Sequence, residues 1–369
     1  MTEQTTPQNP FPGPPPGESF EERPAAPAPP SGPGQAVPRH SGSPSVPAGQ
    51  APPVQKPAQD AGQPSGIPRP ATNAQPPAQP QAGRPPAGSP LAEAYAPDRA
   101  SLYHFKLLRV LGEGGTGKVY LAVDQKRGEP AAIKLFHENF FRNRLHVRDL
   151  AKSVQKFKKF KHVNVVQIYD FYDGSEGRCM SMEYVDGPSL KWYILNRPWN
   201  LQERLNICMQ ICTGMQYLHE KGCIHHDFKP ANVLFTRTGT VKIADFSLYG
   251  SSFLLELFDP NVGEQITPMF VAPEFIRKEK LTPAVDQYSM GITFYMMFAE
   301  RVPFPVDNLT QLYRCHLTVM PEHPSLVNPR CPTALGDIIM RLLQKRPEQR
   351  FTDCDELRIA LSQIGRSRI

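Results

Sequence analysis

The proline content of this chain changes abruptly near residue 100, and the change limits how much of the chain can fold. Of its 42 prolines, 27 precede residue 101, in a stretch of Pro, Ala, Gly, Gln and Ser with few branched apolar side chains. Such a stretch cannot bury enough apolar surface to offset its conformational entropy. We therefore expect residues 1–98 to be disordered and residues 101–369 to form the folded part.

Charge and apolar runs exclude several classes of protein. The first 100 residues carry six basic and seven acidic residues, which leaves 35 basic and 28 acidic residues for the folded part. This excess is too mild to indicate nucleic-acid binding. The longest apolar run, residues 290–299, is too short for a membrane span of about 20 residues, and no signal peptide is visible. Seven scattered cysteines favour a reducing compartment, so we expect a cytoplasmic protein.

A glycine-rich turn lies near the start of the folded part. Residues 103–110 are predicted as a strand, and Gly112, Gly114 and Gly117 follow it. Glycine has no Cβ, so the backbone can approach a ligand closely here. Because the chain continues as a strand over residues 119–123, the turn predicts a β-hairpin over a nucleotide and not the strand–turn–helix of a dinucleotide fold.

The order of the remaining elements predicts an α+β fold. Lys134 stands inside an apolar strand, where a lysine is unusual unless it is paired. A helix over residues 146–160 and strands up to residue 184 follow. Later apolar residues recur at intervals of three and four, which predicts a helix over 201–221 and others at 285–298 and 335–345. We expect a small strand-rich lobe, about 101–185, and a larger helical lobe, about 186–369.

A compact polar cluster follows the helix predicted to end near residue 221. It contains Asp227, Lys229 and Asn232, and a run of strand-forming residues comes directly after it. Such a loop can offer a proton acceptor, a positive charge for a phosphate and a metal-binding amide oxygen. A polar surface turn is the alternative interpretation, because loops collect these residue types in any protein.

Taken together, these segments resemble the eukaryotic-type protein kinase family, which is also widespread in bacteria. The motifs stand in the family's order: LGEGGTGKV at 111–119, AAIK at 131–134, HHDFKPAN at 225–232, DFS at 245–247 and APE at 272–274. The resemblance covers residues 103–366 and implies a bilobal kinase domain that transfers the γ-phosphate of ATP to a protein hydroxyl.

Further residues support the resemblance. Asp286 is similar to the family's aspartate that anchors the catalytic loop. Arg350 is similar to a late arginine that pairs with the glutamate of APE, here Glu274. Lys229, followed by proline, and Thr267 are typical of the branch that phosphorylates serine and threonine.

The resemblance also implies roles for the polar residues. Asp227 would accept the proton of the substrate hydroxyl, and Lys229 would steady the transferring phosphate. Lys134 would hold the α- and β-phosphates. Asn232 and Asp245 would bind Mg²⁺ or Mn²⁺ through hard oxygen ligands.

ATP is expected between the two lobes, with adenine between Val119 and Ala132 above and Leu234 below. Met182 would be the gatekeeper, and the hinge would contact adenine near Glu183 and Val185. The residues expected to bind the nucleotide are Leu111, Gly112, Glu113, Gly114, Gly115, Thr116, Gly117, Lys118, Val119, Ala132, Lys134, Met182, Glu183, Val185 and Leu234.

The first departure from the family is a missing glutamate. The residue that should pair with the strand lysine falls about nine positions before His162, and Ser153 occupies that place. Asp149 lies one helical turn earlier on the same face. We hypothesise that Asp149 or Asp245 pairs with Lys134.

Two further departures concern the catalytic loop and the segment after it. His226 replaces an arginine that binds a phosphorylated loop, and a neutral imidazole cannot do so near pH 7. Activity is therefore expected without phosphorylation of Ser251 or Ser252.

Ser247 replaces the glycine that normally ends the motif at 245–247, and its Cβ should restrict the backbone conformations of that motif. The apolar run 253–258 is predicted as a short helix under the small lobe, or as a partner surface.

These departures leave more than one function open. A degenerate kinase that acts as a nucleotide-binding scaffold is the main alternative. An active kinase is favoured because all five polar residues of the site are present: Lys134, Asp227, Lys229, Asn232 and Asp245. A small-molecule phosphotransferase is disfavoured by Thr267, Glu274 and Arg350.

The sequence indicates few partners besides ATP and a protein substrate with serine or threonine. The proline-rich segment could bind a partner, although a spacer is the favoured interpretation. The basic residues 142–161 could contact an acidic partner or an anionic membrane surface, although a solvated helix face is favoured.

Overall fold

The computed structural model describes residues 101–141, 144–246 and 267–366. Several predictions fall outside these residues: the disordered segment 1–98, Ser247, the hydroxyls of Ser251 and Ser252, and the apolar run 253–258. They stay predictions.

The first half of the described chain forms an antiparallel sheet of six strands with the order β1-β2-β3-β4-β6-β5. The strands are β1 (Ser101–Leu102), β2 (Phe105–Gly114), β3 (Gly117–Asp124), β4 (Glu129–Phe136), β5 (Ile168–Gly174) and β6 (Gly177–Glu183). A 3₁₀ turn, Glu138–Phe140, and helix α1, Arg144–Phe157, connect β4 to β5. The predicted hairpin is confirmed, but its turn is only Gly115–Thr116, because β2 and β3 pair as far as Gly114 and Gly117.

Strand β4 explains how a lysine can lie inside an apolar strand. Side chains alternate between the faces of a sheet, so Ala131 and Ile133 pack into one small apolar cluster, while Ala132 and Phe136 pack into the main core on the other face. The same alternation places Lys134 on the face of Ala132. This face is turned toward the polar site described below.

The second half of the described chain is mainly helical. Its helices are α2 (Leu190–Asn196), α3 (Leu201–Glu220), α4 (Pro273–Ile276), α5 (Ala284–Ala299), α6 (Leu309–Thr318), α7 (Pro324–Val327), α8 (Thr333–Leu342) and α9 (Cys354–Arg366). Short 3₁₀ turns lie at Pro230–Asn232, Pro268–Phe270 and Pro347–Gln349. A two-stranded sheet pairs β7, Val233–Phe235, with β8, Val241–Ile243.

Helix α5 is the centre of the helical half. Fourteen of its 16 residues are buried, so it has no solvated face and serves as a support for the elements around it. Helix α3 begins with a capping box between Asn200 and Glu203 and buries its apolar face. Gly222, in a left-handed conformation with φ +63°, then turns the chain into the polar loop.

The predicted α+β layout is confirmed, and the differences concern element ends. The helix predicted over 146–160 runs from Arg144 to Phe157, and the one predicted over 335–345 runs from Thr333 to Leu342. Element ends depend on caps and tertiary packing, which apolar periodicity does not encode. The antiparallel sheet and the mainly helical part that follows it correspond to the two predicted lobes.

A buried ion pair joins α4 to the last part of the chain. The Arg350 guanidinium donates to both carboxylate oxygens of Glu274, Nη1 to Oε1 at 2.6 Å and Nη2 to Oε2 at 2.8 Å. Both side chains are at most 1% exposed. Arg350 also donates to the carbonyl oxygens of Ala284 and Gln344, so the guanidinium keeps partners on three segments. The predicted pairing of these two residues is confirmed.

Replacement of Arg350 by alanine should destabilise the domain by about 3–5 kcal/mol, because the Glu274 carboxylate would stay buried without its partner. Denaturant unfolding of the full chain measures this loss. Arg358→Ala is the matched control, since Arg358 pairs with Asp355 at the surface, and it should cost less than about 1 kcal/mol. Equal losses for the two variants would contradict this account.

Candidate active site

The polar loop after α3 is fixed by one carboxylate of helix α5. Asp286 Oδ2 accepts a hydrogen bond from the backbone N–H of His225 at 2.8 Å, and Oδ1 accepts one from the N–H of His226 at 2.9 Å. The ring of His219, at the end of α3, donates from Nε2 to Oδ2 at 2.7 Å. Two consecutive amides of the loop are therefore held to helix α5, whose residues are nearly all buried.

Burial alone would raise the pKa of Asp286, but the hydrogen bond and the electrostatic interaction with His219 outweigh it and lower the pKa. The carboxylate is therefore ionised. Burial lowers the pKa of both His225 and His226, so their rings are neutral near pH 7. The His225 ring donates from Nε2 to the carbonyl oxygen of Ala244 at 3.0 Å, which joins the loop to the end of β8.

Three side chains of the loop converge immediately after this anchor. Lys229 Nζ lies 2.7 Å from Asp227 Oδ2 and 2.8 Å from Thr267 Oγ1. Asn232 Nδ2 donates to the carbonyl oxygen of Asp227 at 2.8 Å and contacts its Oδ2 at 3.3 Å. The amide nitrogen is therefore engaged on the side of Asp227, and Oδ1 is the Asn232 atom able to bind a metal ion.

Lys134 reaches the same site from the sheet. Its Nζ lies 2.9 Å from Asp245 Oδ1, and the lysine side chain is 8% exposed. Burial raises the pKa of Asp245, but the charge and hydrogen bond of Lys134 outweigh this effect and lower the pKa. Asp245 is therefore an ionised carboxylate within reach of the lysine and close to the loop.

Of the two hypothesised partners of Lys134, the structure pairs it with Asp245. Asp149 lies on a half-exposed face of α1, where its Oδ1 is 3.9 Å from Lys152 Nζ. It does not contact Lys134. The Asp149 alternative is wrong because the buried face of α1 is formed by Val147, Leu150, Val154 and Phe157, which turn Asp149 toward solvent.

Two residues of the candidate site have left-handed backbone conformations. The φ angle is +65° at His226 and +53° at Asp245. This region is uncommon for residues with a Cβ and persists when surrounding contacts hold it. The bonds to Asp286 supply these contacts at His226, and the pair with Lys134 supplies one at Asp245. Each strained residue thus has its own restraint.

The residues expected around adenine are buried or partly buried apolar side chains. Ala132, Met182 and Val185 are buried in the main core, and Val119 and Leu234 pack against it. Sheet pairing places Ala132 opposite Met182. The placement of adenine between Val119 and Ala132 above and Leu234 below, with Met182 as gatekeeper, stays a prediction.

Other predicted nucleotide residues lie at the edge of the site. Leu111 is 37% exposed. Glu113 and Lys118 pair with each other at 3.2 Å on the open side of the hairpin. Gly112 and Gly114 have open space where a Cβ would lie, so their backbone can approach a ligand.

Two residues that sequence reasoning missed support the site. His219 holds Asp286, as described above. Lys242 pairs with the Glu183 carboxylate, Nζ to Oε1 at 2.7 Å. The same carboxylate accepts the N–H of Gln167 at 3.0 Å. This pair ties β8 to the end of β6, where hinge contacts are predicted. Lys242 lies between the buried Val241 and Ile243, so the alternation of β8 gave no signal for it.

The chemistry of the donors fits a hard divalent cation. Asn232 Oδ1 and the ionised carboxylate of Asp245 are oxygen ligands of the kind that Mg²⁺ prefers. The two residues are linked through the backbone, because the N–H of Ala244 donates to the carbonyl oxygen of Asn232 at 2.8 Å. A metal ion bound to both side chains would also lie close to Asp227.

A comparison with protein-family models places this arrangement in a known group. Residues 105–361 match the model described as "Protein kinase domain". The chain belongs to the protein kinase family.

Two curated relatives of this kinase domain, both from bacteria, show the degree of similarity. The serine/threonine-protein kinase PksC of Streptomyces coelicolor is 29% identical over 265 residues, which is 69% of this chain and 48% of PksC. PrkC of Bacillus subtilis is 29% identical over 256 residues, which is 69% of this chain and 39% of PrkC. The chain thus spans less than half the length of these relatives. The predicted membership in the eukaryotic-type serine/threonine family is confirmed.

Solved structures show the same fold. The PknI kinase domain of Mycobacterium tuberculosis superposes with a TM-score of 0.58 at 23% identity and covers 72% of this chain and 97% of its own. The predicted bilobal kinase fold is confirmed. Among the residues that the structure describes, no helix is both long and apolar enough to cross a membrane.

The assignment of Asp245, and not Asp149, to Lys134 predicts how two variants of the kinase domain bind nucleotide. Asp149→Ala should leave the affinity for ATP with Mg²⁺ within about twofold of the unmodified protein, because only an exposed pair is lost. Asp245→Asn should weaken this binding by at least about tenfold, because a charged metal ligand is lost. Calorimetric titration measures both affinities. A loss for Asp149→Ala equal to that for Asp245→Asn would contradict the assignment.

Proposed function

We propose that this kinase domain transfers the γ-phosphate of ATP to serine or threonine hydroxyls of proteins. The observation that carries the proposal is the position of Lys229 Nζ between Asp227 Oδ2 and Thr267 Oγ1, at 2.7 and 2.8 Å. It joins a proton acceptor, a cation and the segment that precedes APE in one cluster. Phosphoryl transfer depends on positioning and charge stabilisation, and this cluster can provide both.

Each polar side chain of the site has its own proposed role. Asp227 orients the substrate hydroxyl and accepts its proton, and Lys229 stabilises negative charge on the transferring phosphoryl group. Lys134 exchanges Asp245 for the α- and β-phosphates of the nucleotide. Asn232 and Asp245 would hold Mg²⁺, or Mn²⁺, which supplies charge neutralisation at the phosphate oxygens when bound.

Adenine is proposed to lie in the apolar group formed by Val119, Ala132, Met182, Val185 and Leu234. Apolar walls suit the faces of a purine, while polar contacts from the hinge backbone fix its edge. The Lys242–Glu183 pair stabilises this hinge, since it connects the end of β6 with β8 of the helical lobe. The proposed ATP site therefore spans both lobes.

A nucleotide-binding scaffold is the second candidate, and Ser153 is the observation that favours it. No carboxylate of α1 pairs with Lys134, so the lysine depends on Asp245 alone among the described side chains.

All seven cysteines are free thiols, which supports the proposed cytoplasmic location of either form.

Replacement of Asp227 tests the proposed reaction. The full chain is incubated with ATP, Mg²⁺ and a generic protein substrate beside Asp227→Asn, which is nearly the same size. Transfer to protein serine or threonine should fall by at least about 100-fold in the variant, because the proton acceptor is lost.

Calorimetric binding of ATP serves as the control and should change little in Asp227→Asn. If the unmodified protein binds ATP but transfers no phosphate, the proposal fails and the scaffold is supported. Transfer that persists in Asp227→Asn would also overturn it.

The neutral ring of His226 predicts activity without a phosphorylated loop. Burial lowers the pKa of His226, so its imidazole supplies no positive charge in the place of the family's arginine for a phosphate on the loop to bind. Protein treated with a phosphatase, and shown by mass spectrometry to be unphosphorylated, should keep its initial rate within about twofold. Loss of activity after the treatment would contradict this prediction.

A further inference from the structure

The tip of the glycine-rich hairpin is attached to the strand that carries Lys134. Strand pairing places Gly117 of β3 opposite Phe136 of β4. His137 is the next residue after Phe136 and so lies beside the two-residue turn, Gly115–Thr116.

His137 makes two hydrogen bonds to the tip of the hairpin, one to the turn and one to the last residue of β2. Its backbone N–H donates to the carbonyl oxygen of Thr116 at 3.2 Å. Its ring Nε2 lies 3.1 Å from the carbonyl oxygen of Gly114. A carbonyl oxygen can only accept, so Nε2 carries the hydrogen.

Close backbone packing reinforces the attachment. Gly117 has φ +153°, and a Cβ there would lie 2.1 Å from the carbonyl oxygen of Leu135. Only glycine lets β3 approach β4 this closely. The hairpin is therefore held at Gly117 by backbone contact and at Gly114 and Thr116 by His137.

The bond to Gly114 determines where one amide of the tip points. In a planar trans peptide the C=O and the following N–H point in opposite directions. With the Gly114 carbonyl directed at His137, the N–H of Gly115 is directed to the other side. A carbonyl oxygen facing a phosphate would repel it, whereas an N–H facing it can donate.

We propose that His137 is a positioning residue that holds the hairpin tip so that the Gly115 N–H meets the β- and γ-phosphates of the nucleotide. The inference rests on the proposed ATP site, and it adds a residue outside the glycine-rich motif to that site. Lys134 and His137 then contribute to phosphate binding from one strand, Lys134 by its charge and His137 through the orientation of the hairpin.

Two variants of the full chain distinguish the effect of the hydrogen-bond donor of His137 from the effect of its ring shape. His137→Phe keeps a flat ring and removes the donor, while His137→Gln retains an N–H donor. His137→Phe should bind ATP with Mg²⁺ about three- to tenfold more weakly, the range expected for one lost hydrogen bond. His137→Gln should stay within about twofold of the unmodified protein.

Adenosine is the matched control ligand because it has no phosphates. Its affinity, measured by calorimetric displacement, should be the same in all forms. An equal loss of ATP and adenosine affinity in His137→Phe would mean a general structural role and overturn the proposal, as would unchanged ATP affinity. His137→Ala replaces His137→Phe if that variant does not fold.

The readouts keep this inference separate from the proposed function. Nucleotide binding decides the role of His137, whereas phosphate transfer decides the activity. An unmodified protein that binds ATP without transfer, with the variant pattern above, would support the His137 role while the proposed function fails. An unmodified protein that does not bind ATP would overturn the His137 role.

Discussion

The buried carboxylate of Asp286 is the interaction on which the rest of the site depends. It accepts the amides of His225 and His226 and the ring of His219, and it belongs to helix α5, whose residues are nearly all buried. A charge in such a place is costly unless hydrogen bonds compensate for its lost hydration. Three donors do so here. The same bonds hold the backbone on which Asp227 stands, so the position of the proposed base follows from the packing of α5.

The ion pair between Lys134 and Asp245 is the second constraint, and it connects the sheet to the loop. The family resemblance implies a helix glutamate as the partner of this lysine, and residue counting in the sequence puts Ser153 at that position. Asp245 therefore forms the ion pair with Lys134 and is also the proposed metal ligand. In the proposed complex with a nucleotide and a metal ion, each member of the pair would exchange one opposite charge for another. Neither side chain has to be left buried without a partner, which is the costly outcome.

The motifs predicted which residues meet, but not how the supporting residues are arranged. Lys229 and Asn232 contact Asp227 within one short loop, and Asp245 follows Ala244, whose N–H donates to the carbonyl oxygen of Asn232. The choice between Asp149 and Asp245 needed the rotation of α1, which core packing sets. The contacts of His219 with Asp286 and of Lys242 with Glu183 join residues 67 and 59 positions apart. No local pattern in one sequence encodes such pairs.

The central claim is that Lys134, Asn232 and Asp245 bind the nucleotide and its metal ion around Asp227. A crystal structure of the chain with Mg²⁺ and a non-hydrolysable ATP analogue tests it most directly. The account predicts Asn232 Oδ1 and an Asp245 oxygen within about 2.1 Å of the metal ion, with Lys134 Nζ on the α- and β-phosphates. A nucleotide bound without metal, with Lys134 still paired to Asp245, would contradict it.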